Sequence, residues 1–320
     1  MEKMLIVSSS PHAKAKHTTR SIMLDVIIAL IPVLLVGIYF YGLRALLLTI
    51  VSVVSCVGFE WIWEKYFKRP VTIKDLSAVV TGLLLAYNVP ASAPIYVVII
   101  GAFVAIILAK QVFGGLGQNF INPALAARAF LLAGYSTAMR TFNVPTPGEL
   151  FSSVDVVTSA TPLELMKNGL VQELPSLADA FTGNIGGCIG EASAIALLIG
   201  AIYLLVKKVI TWHIPVCYIG TVFVLTFIFN GFNLYESFYS LFLGGLILGA
   251  FFMATDYTTT PMTIKGQIIF AVGAGLLTTL IRLFGGYPEG VSYSILIMNL
   301  VVPLIDKYIK THRFGEGEKA

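Results

Sequence analysis

Charge is what this sequence has least of. Aspartate, glutamate, lysine and arginine together make up 12% of the 320 residues, whereas hydrophobic residues make up 57%. An ordinary soluble domain is about 25% charged and about 45–50% apolar. A chain this short of charge could not cover a water-facing surface, so lipid is the solvent for much of it. Two soluble domains, which length alone allows, are thereby excluded. Cysteine is scarce as well. Cys56, Cys188 and Cys217 stand far apart in sequence, which removes zinc-ribbon, ferredoxin and thioredoxin spacings and leaves small apolar residues in or beside membrane helices. No secretory signal is expected either: residues 1–20 lack a long apolar core, and no small-residue cleavage site follows the first apolar run.

What is present is a series of apolar stretches. A spanning helix needs about 20 predominantly apolar residues. Eight stretches approach or meet that length: Ile22–Tyr41, Ala45–Trp63, Ile95–Val112, Ala192–Val206, Ile214–Phe229, Phe238–Ala254, Ile268–Phe284 and Tyr293–Ile309. Two shorter pieces, Leu76–Tyr87 and Pro123–Gly134, predict re-entrant or broken helices. The expected fold is an all-α polytopic membrane protein of about ten transmembrane elements.

Lysine and arginine set the orientation. With the N-terminus in the cytoplasm and the elements alternating, sixteen basic residues fall on the cytoplasmic side. Four fall opposite, namely Arg44, Arg140, Lys167 and Arg282. That asymmetry fits the positive-inside rule and places both termini in the cytoplasm. The net charge of +4 therefore matters through its distribution. The sequence divides into a cytoplasmic N-terminal segment 1–20, a first transmembrane repeat 21–134, an extracytoplasmic loop 135–190, a second repeat 191–310 and a cytoplasmic tail 311–320. Five elements on each side of the loop predict two inverted five-element repeats, because an odd number makes the halves enter from opposite faces. Faint echoes agree: Asn122-Pro123 in one half with Asn299 and Pro303 in the other, and Leu83–Pro90 with Met253–Pro261.

Three polar clusters interrupt the apolar sequence, and irregular backbone at membrane depth is tolerated only where it is buried in protein or lines a cavity. GGLGQNFINPALAAR spans Gly114–Arg128. No strand precedes its glycines, so a dinucleotide or P-loop reading fails on context, and Asn-Pro can simply start a helix. Arg128 needs more than that. An arginine inside a membrane helix costs about 2.5–3.5 kcal/mol on insertion scales, so a phosphate or a carboxylate should accompany it. GNIGGCIGEAS, Gly183–Ser193, puts Glu191 at a helix start, where the dipole favours it. Its glycines would equally let backbone approach a flat ligand. MATDYTTTPMTIKGQ, Met253–Gln267, sets Asp256 among hydroxyls, either as part of an ion pathway or as a solvated helix end.

The loop contains Asp155-Val156-Val157-Thr158-Ser159-Ala160-Thr161, then Pro162-Leu163-Glu164. By composition this is a turn, with Thr161 as an N-cap before a first-turn proline. The run DxxTSAT nevertheless resembles the signature of threonine flavinylation. The blocks GGLGQNFINPALAARAF, GGCIGEAS, FMATDYTTTP and YPEGVSYSILIMN resemble, in order, those of the family of D subunits of the Rnf complex. The B subunit of the Na⁺-pumping NADH:quinone reductase is more distantly similar. The resemblance covers about residues 20 to 310. Ser159 departs from it, standing where glycine is commoner, and leaves the acceptor threonine in place.

The resemblance implies a non-autonomous subunit of a redox-driven translocase, a ferredoxin:NAD⁺ oxidoreductase that moves Na⁺ or H⁺. Thr161 would carry FMN through a phosphoester. Asp155, Thr158, Ser159 and Ala160 would form the surface read by a flavin transferase acting outside the cytoplasm. A second, non-covalent flavin such as riboflavin is a further implication. Asn119, Asn122, Arg128 and Glu191 are the candidate flavin-facing polar groups, and Asp256 is the candidate for an ion pathway. Partners would be the other membrane and peripheral subunits and lipid, with no nucleic acid, in a bacterial inner membrane. A channel or secondary transporter on the same inverted repeat, with Thr161 only a cap, is the alternative, since fold alone does not fix function.

Overall fold

The computed structural model describes residues 18–149, 161–168, 170, 174–286 and 289–309. Asp155, Thr158, Ser159 and Ala160 lie outside the described residues. Among those described there is no strand; one isolated antiparallel bridge joins Pro90 to Cys188.

Helix α1 (Thr19–Tyr66) opens with a reciprocal cap, the Ser21 amide on the Thr18 hydroxyl and the Thr18 amide on the Ser21 hydroxyl. It takes in the first two expected spans, interrupted at Gly42, whose φ of 65° and ψ of −162° leave the helical region and suit glycine. The interruption frees helix carbonyls, which need partners in a lipid environment. Thr146 donates to the Phe40 carbonyl and Gly148 to the Tyr39 carbonyl, each at 3.0 Å. The loop is therefore tied to the break.

The other helices are α2 (Ser77–Tyr87), α3 (Ile95–Gln111), α4 (Pro123–Gly134), α5 (Ser136–Arg140), α6 (Pro162–Lys167), α7 (Leu177–Thr182), α8 (Ala194–Val206), α9 (His213–Phe229), α10 (Leu234–Leu241), α11 (Leu246–Met253), α12 (Ile264–Phe284) and α13 (Val291–Tyr308). Every expected apolar stretch contains helix. One is corrected. Phe238–Ala254 is no continuous span but the pair α10 and α11, bent by 59°, because Gly244 and Gly245 both take positive φ. The third element is thus the irregular one on each side of the loop: α2 is short, and α10–α11 is broken.

Small residues let the helices close up. α2 lies along α1, and a Cβ on Gly82 would come within 2.7 Å of the Val53 Cα. The Ser52 hydroxyl donates to the Gly82 carbonyl at 2.7 Å across the same contact. Past α2 the backbone is irregular, and Arg44 satisfies it, its side chain donating to the Ala91 and Ala93 carbonyls at 3.1 Å each.

Two basic residues are core residues and not surface charges: Lys110, counted among the sixteen on the cytoplasmic side, and Arg282, counted among the four opposite. The last stretch of α3, Val104–Gln111, has π-helical register, which turns both Lys110 and Gln111 inward. The Lys110 ammonium lies 2.7 Å from Glu60 Oε1 and 2.7 Å from Ser77 Oγ, and Gln111 donates to the same Glu60 oxygen at 2.8 Å. Arg282 is likewise buried in α12 and donates to the Ser240 and Leu243 carbonyls at the α10–α11 break, at 2.9 and 2.8 Å. A positive charge at that helix end opposes the end's negative dipole. Replacing Lys110 with methionine strands a buried carboxylate and is expected to cost about 3–5 kcal/mol. Adding Glu60→Gln should recover most of it, as read by thermal unfolding in detergent.

Candidate functional site

Asn122 and Pro123 start α4 as expected: the Asn122 side chain accepts from the amides of Ala124 and Leu125 at 3.1 and 3.3 Å, and proline fills the first turn. That start aims Arg128, less than two turns on, at the centre of the protein, where it is 4% exposed. Its guanidinium donates to Asn88 Oδ1, to a Glu289 carboxylate oxygen and, at 3.7 Å, to Cys188 Sγ. Glu191 Oε1 lies 3.5 Å away. The partner demanded by Arg128 is therefore a pair of carboxylates. Glu191 does not stand at a helix start: α8 is capped by Ser193, and Glu191 ends a short 3₁₀ turn, Ile189–Glu191, in ion-pair distance of Arg128. Ligand atoms of Cys188, Glu191 and Glu289 lie within 4.8 Å of one another, but the Arg128 guanidinium already contacts all three.

The cluster joins segments far apart in sequence. Asn88 caps the end of α2, Arg128 comes from α4, Cys188 and Glu191 from the glycine-rich entry to α8, and Glu289 from the turn before α13. Gly190 permits the approach, since a Cβ there would sit 2.4 Å from the Tyr87 Cβ. Tyr41, beside the Gly42 break, donates to the Ile185 and Gly187 carbonyls at 3.2 and 3.3 Å.

Asn119, Asn122 and Asp256 gather elsewhere, around a cavity of about 100 Å³ whose wall also includes Lys110, Ser77, Thr81 and Thr258. That volume holds several waters. Burial pushes the Asp256 carboxyl above the usual carboxylate range, against hydrogen bonds from Thr258, Thr259 and Asn119 that favour its charged form. The hydroxyls of Thr258 and Thr259 donate to Asp256 Oδ2 at 2.9 and 3.2 Å.

A polar thread connects the cavity with the arginine cluster. Asn122 donates to the Met253 carbonyl at 3.2 Å, Asn88 donates to Met253 Sδ at 3.6 Å, and Asn88 accepts from Arg128. With its amide turned to satisfy both ends, Asn299 donates to the Thr259 carbonyl at 3.1 Å and accepts from the Asn122 amide at 3.1 Å. Asn122 and Asn299, from segments that looked like internal echoes, thus touch each other, and so do Asn88 and Met253, from the second such pair of segments.

At the far end of the thread is Thr161. It caps α6, its hydroxyl accepting from the Glu164 amide at 3.3 Å, and it is 5% exposed. Leu163 anchors α6 in a small apolar cluster with Ala180, Ile185, Tyr239 and Leu243. Thr161 lines a cavity of about 30 Å³ together with Leu132, Met139, Arg140, Phe142, Glu164 and Glu289. Glu289 is thus shared between this cavity and the Arg128 cluster. The space and the cation in its wall fit a phosphoester on the threonine, while a three-ring isoalloxazine would have to lie outside it.

The sequence matches the NQR2, RnfD, RnfE family over residues 6–315. The chain belongs to that family. It is accordingly an all-α polytopic membrane protein. Its relatives in the family include the D subunit of the Na⁺-translocating ferredoxin:NAD⁺ oxidoreductase complex of Acetobacterium woodii, 51% identical over 98% of this chain and 96% of the relative. The proton-translocating counterpart of Clostridium ljungdahlii is 46% identical over 98% and 97%. The D subunit of the ion-translocating oxidoreductase complex of Aliivibrio salmonicida is 36% identical over 97% and 98%.

Of the family residues expected to face flavin, Arg128 and Glu191 meet in one cluster, and Asn119 and Asn122 line the other cavity. Asn88, Cys188 and Glu289 were not apparent from sequence as partners of Arg128, nor was Glu60 as the partner of Lys110. Glu60 carried a usable signal, a carboxylate inside an apolar span. Glu289 carried none, because it follows a proline in a connection between helices.

Proposed function

We propose that this chain is the D subunit of an ion-translocating ferredoxin:NAD⁺ oxidoreductase, a redox-driven translocase of the bacterial inner membrane. The observation that carries the reading is near-full-length similarity to relatives bearing that name, at 51% and 46% identity. Those two relatives are named for different ions, so similarity leaves Na⁺ and H⁺ equal. Both termini lie in the cytoplasm, and the two sets of five elements are inverted about an extracytoplasmic loop. The partners are the complex's other subunits and lipid.

Thr161 is the flavin attachment residue in this reading. A transferase that recognises Asp155, Thr158, Ser159 and Ala160 moves the FMN moiety of FAD to the threonine oxygen, which loses its proton as AMP leaves. Bound flavin supplies one- and two-electron redox chemistry. The chain's own residues do the rest. α6 fixes the threonine on the protein, Glu289 stands between the threonine's cavity and Arg128, and the thread through Asn88 and Asn122 reaches the cavity beside Asp256. Asp256 holds the transported cation or proton among the hydroxyls of Thr258 and Thr259. A second, non-covalent flavin such as riboflavin would supply a further one-electron carrier.

The test uses the assembled complex in inverted vesicles. Adding reduced ferredoxin and NAD⁺ should produce NADH and ion uptake together, and both should be lost from cells lacking this chain. Asp256→Asn should reduce ion uptake to near background while flavin content stays at the wild-type level. Full ferredoxin-dependent NAD⁺ reduction without this chain would refute the reading.

A further inference from the structure

We propose that Arg140 is the counter-cation of the phosphodiester through which flavin mononucleotide is joined to Thr161. The assignment rests on the attachment reading above and goes beyond it, because it names the group that receives the phosphate's charge. A phosphodiester carries one negative charge at neutral pH. Among the described residues, the cavity at Thr161 is lined by two carboxylates, Glu164 and Glu289, and by one cationic side chain, Arg140. Without that cation the new charge would face like charges only. Neither Arg128 nor Lys167 lines this cavity. Arg128 is held among Asn88, Cys188, Glu191 and Glu289, and Lys167 donates to the Gly285 carbonyl.

Arg140 is also well placed mechanically. It ends α5, between Met139 and Phe142, which are 2% and 7% exposed and hold the chain down on either side. The Ser92 hydroxyl donates to the carbonyl of Thr141, the next residue. The backbone is therefore fixed beside the cavity that the Arg140 side chain lines. A planar guanidinium pairs with two phosphate oxygens at once, which orients the group as well as neutralising it. The cavity of about 30 Å³ admits phosphoryl oxygens and excludes the rings. Anchoring the phosphate thus holds the rings at the protein's outer face, where a redox partner can reach them.

The experiment labels arginines with phenylglyoxal in the native complex, prepared from cells with and without the flavin transferase. Labelling is read by peptide mass spectrometry. A charge-assisted arginine–phosphate contact should slow labelling of Arg140 at least about tenfold in the flavinylated complex, with Arg44 labelled alike in both. In Arg140→Gln the covalent flavin should become mobile, seen as a fall in fluorescence anisotropy, and Arg140→Lys should restore much of it. Equal labelling of Arg140 with FMN present on the Thr161 peptide, or undiminished anisotropy in Arg140→Gln, overturns the assignment while leaving the attachment intact. A Thr161 peptide without FMN mass overturns the attachment itself.

Discussion

Replacing Thr161 with alanine is expected to remove all covalent flavin from this polypeptide, leaving its denatured gel band without flavin fluorescence, and to stop electron flow through the complex. The effect should be chemical and not a matter of folding. The Thr161 hydroxyl caps α6 through the Glu164 amide, and losing such a cap costs about 1 kcal/mol. Stabilities of about 5–15 kcal/mol absorb that, and the Leu163 cluster keeps α6 seated. Thr161→Ser keeps both cap and acceptor hydroxyl and should stay fluorescent. Thr158→Ala should weaken modification without removing the acceptor. The transferase must be present in every strain, because its absence darkens even the wild-type band. Fluorescence persisting in Thr161→Ala would move the attachment elsewhere.

The second large effect is expected at Arg128. Arg128→Leu leaves the largely buried carboxylates of Glu191 and Glu289 with no cation between them, and also strips Asn88 and Cys188 of a donor. Breaking a buried ion pair from one side costs about 3–5 kcal/mol, a large part of the total for a protein of ordinary stability. Because Arg128 touches the end of α2, the entry to α8 and the turn before α13 at once, the loss should separate the two halves of the chain and not merely soften one helix. Arg128→Leu combined with Glu289→Gln removes one of the stranded charges, so the double variant should be more stable than the single one. Thermal unfolding in detergent reads both. A double variant no more stable than the single one would show that Glu289 is not Arg128's principal partner.

Much of the fold was legible because lipid imposes it. Each apolar stretch could satisfy its backbone only as helix, and each contains helix, although Phe238–Ala254 is broken into two. Boundaries were legible where caps lie close in sequence, as at Asn122-Pro123 and Thr161-Pro162. The α10–α11 break was harder. Gly244-Gly245 stood in plain sight, but glycine is common in membrane helices, and only the contact of Arg282 with carbonyls some forty residues earlier explains why the helix opens there. The loop-or-core placement of Lys110 and Arg282 failed for the same reason: a basic residue near the end of an apolar run reads as a loop charge unless its buried partner is known. The candidate site was half legible. Arg128 announced a partner by its cost in the membrane, yet Asn88, Cys188 and Glu289 lie 40, 60 and 161 residues away, and no local pattern joins them. Thr161 was legible by family resemblance and by capping chemistry, two readings that the same hydroxyl satisfies.

One measurement bears most directly on the whole account: the intact mass of tryptic fragment 141–167, taken from the native complex of cells that carry the transferase. A fragment heavier by one esterified FMN, with the adduct placed on Thr161 by fragmentation, is the expected result. The same fragment recovered quantitatively at its unmodified mass would contradict it.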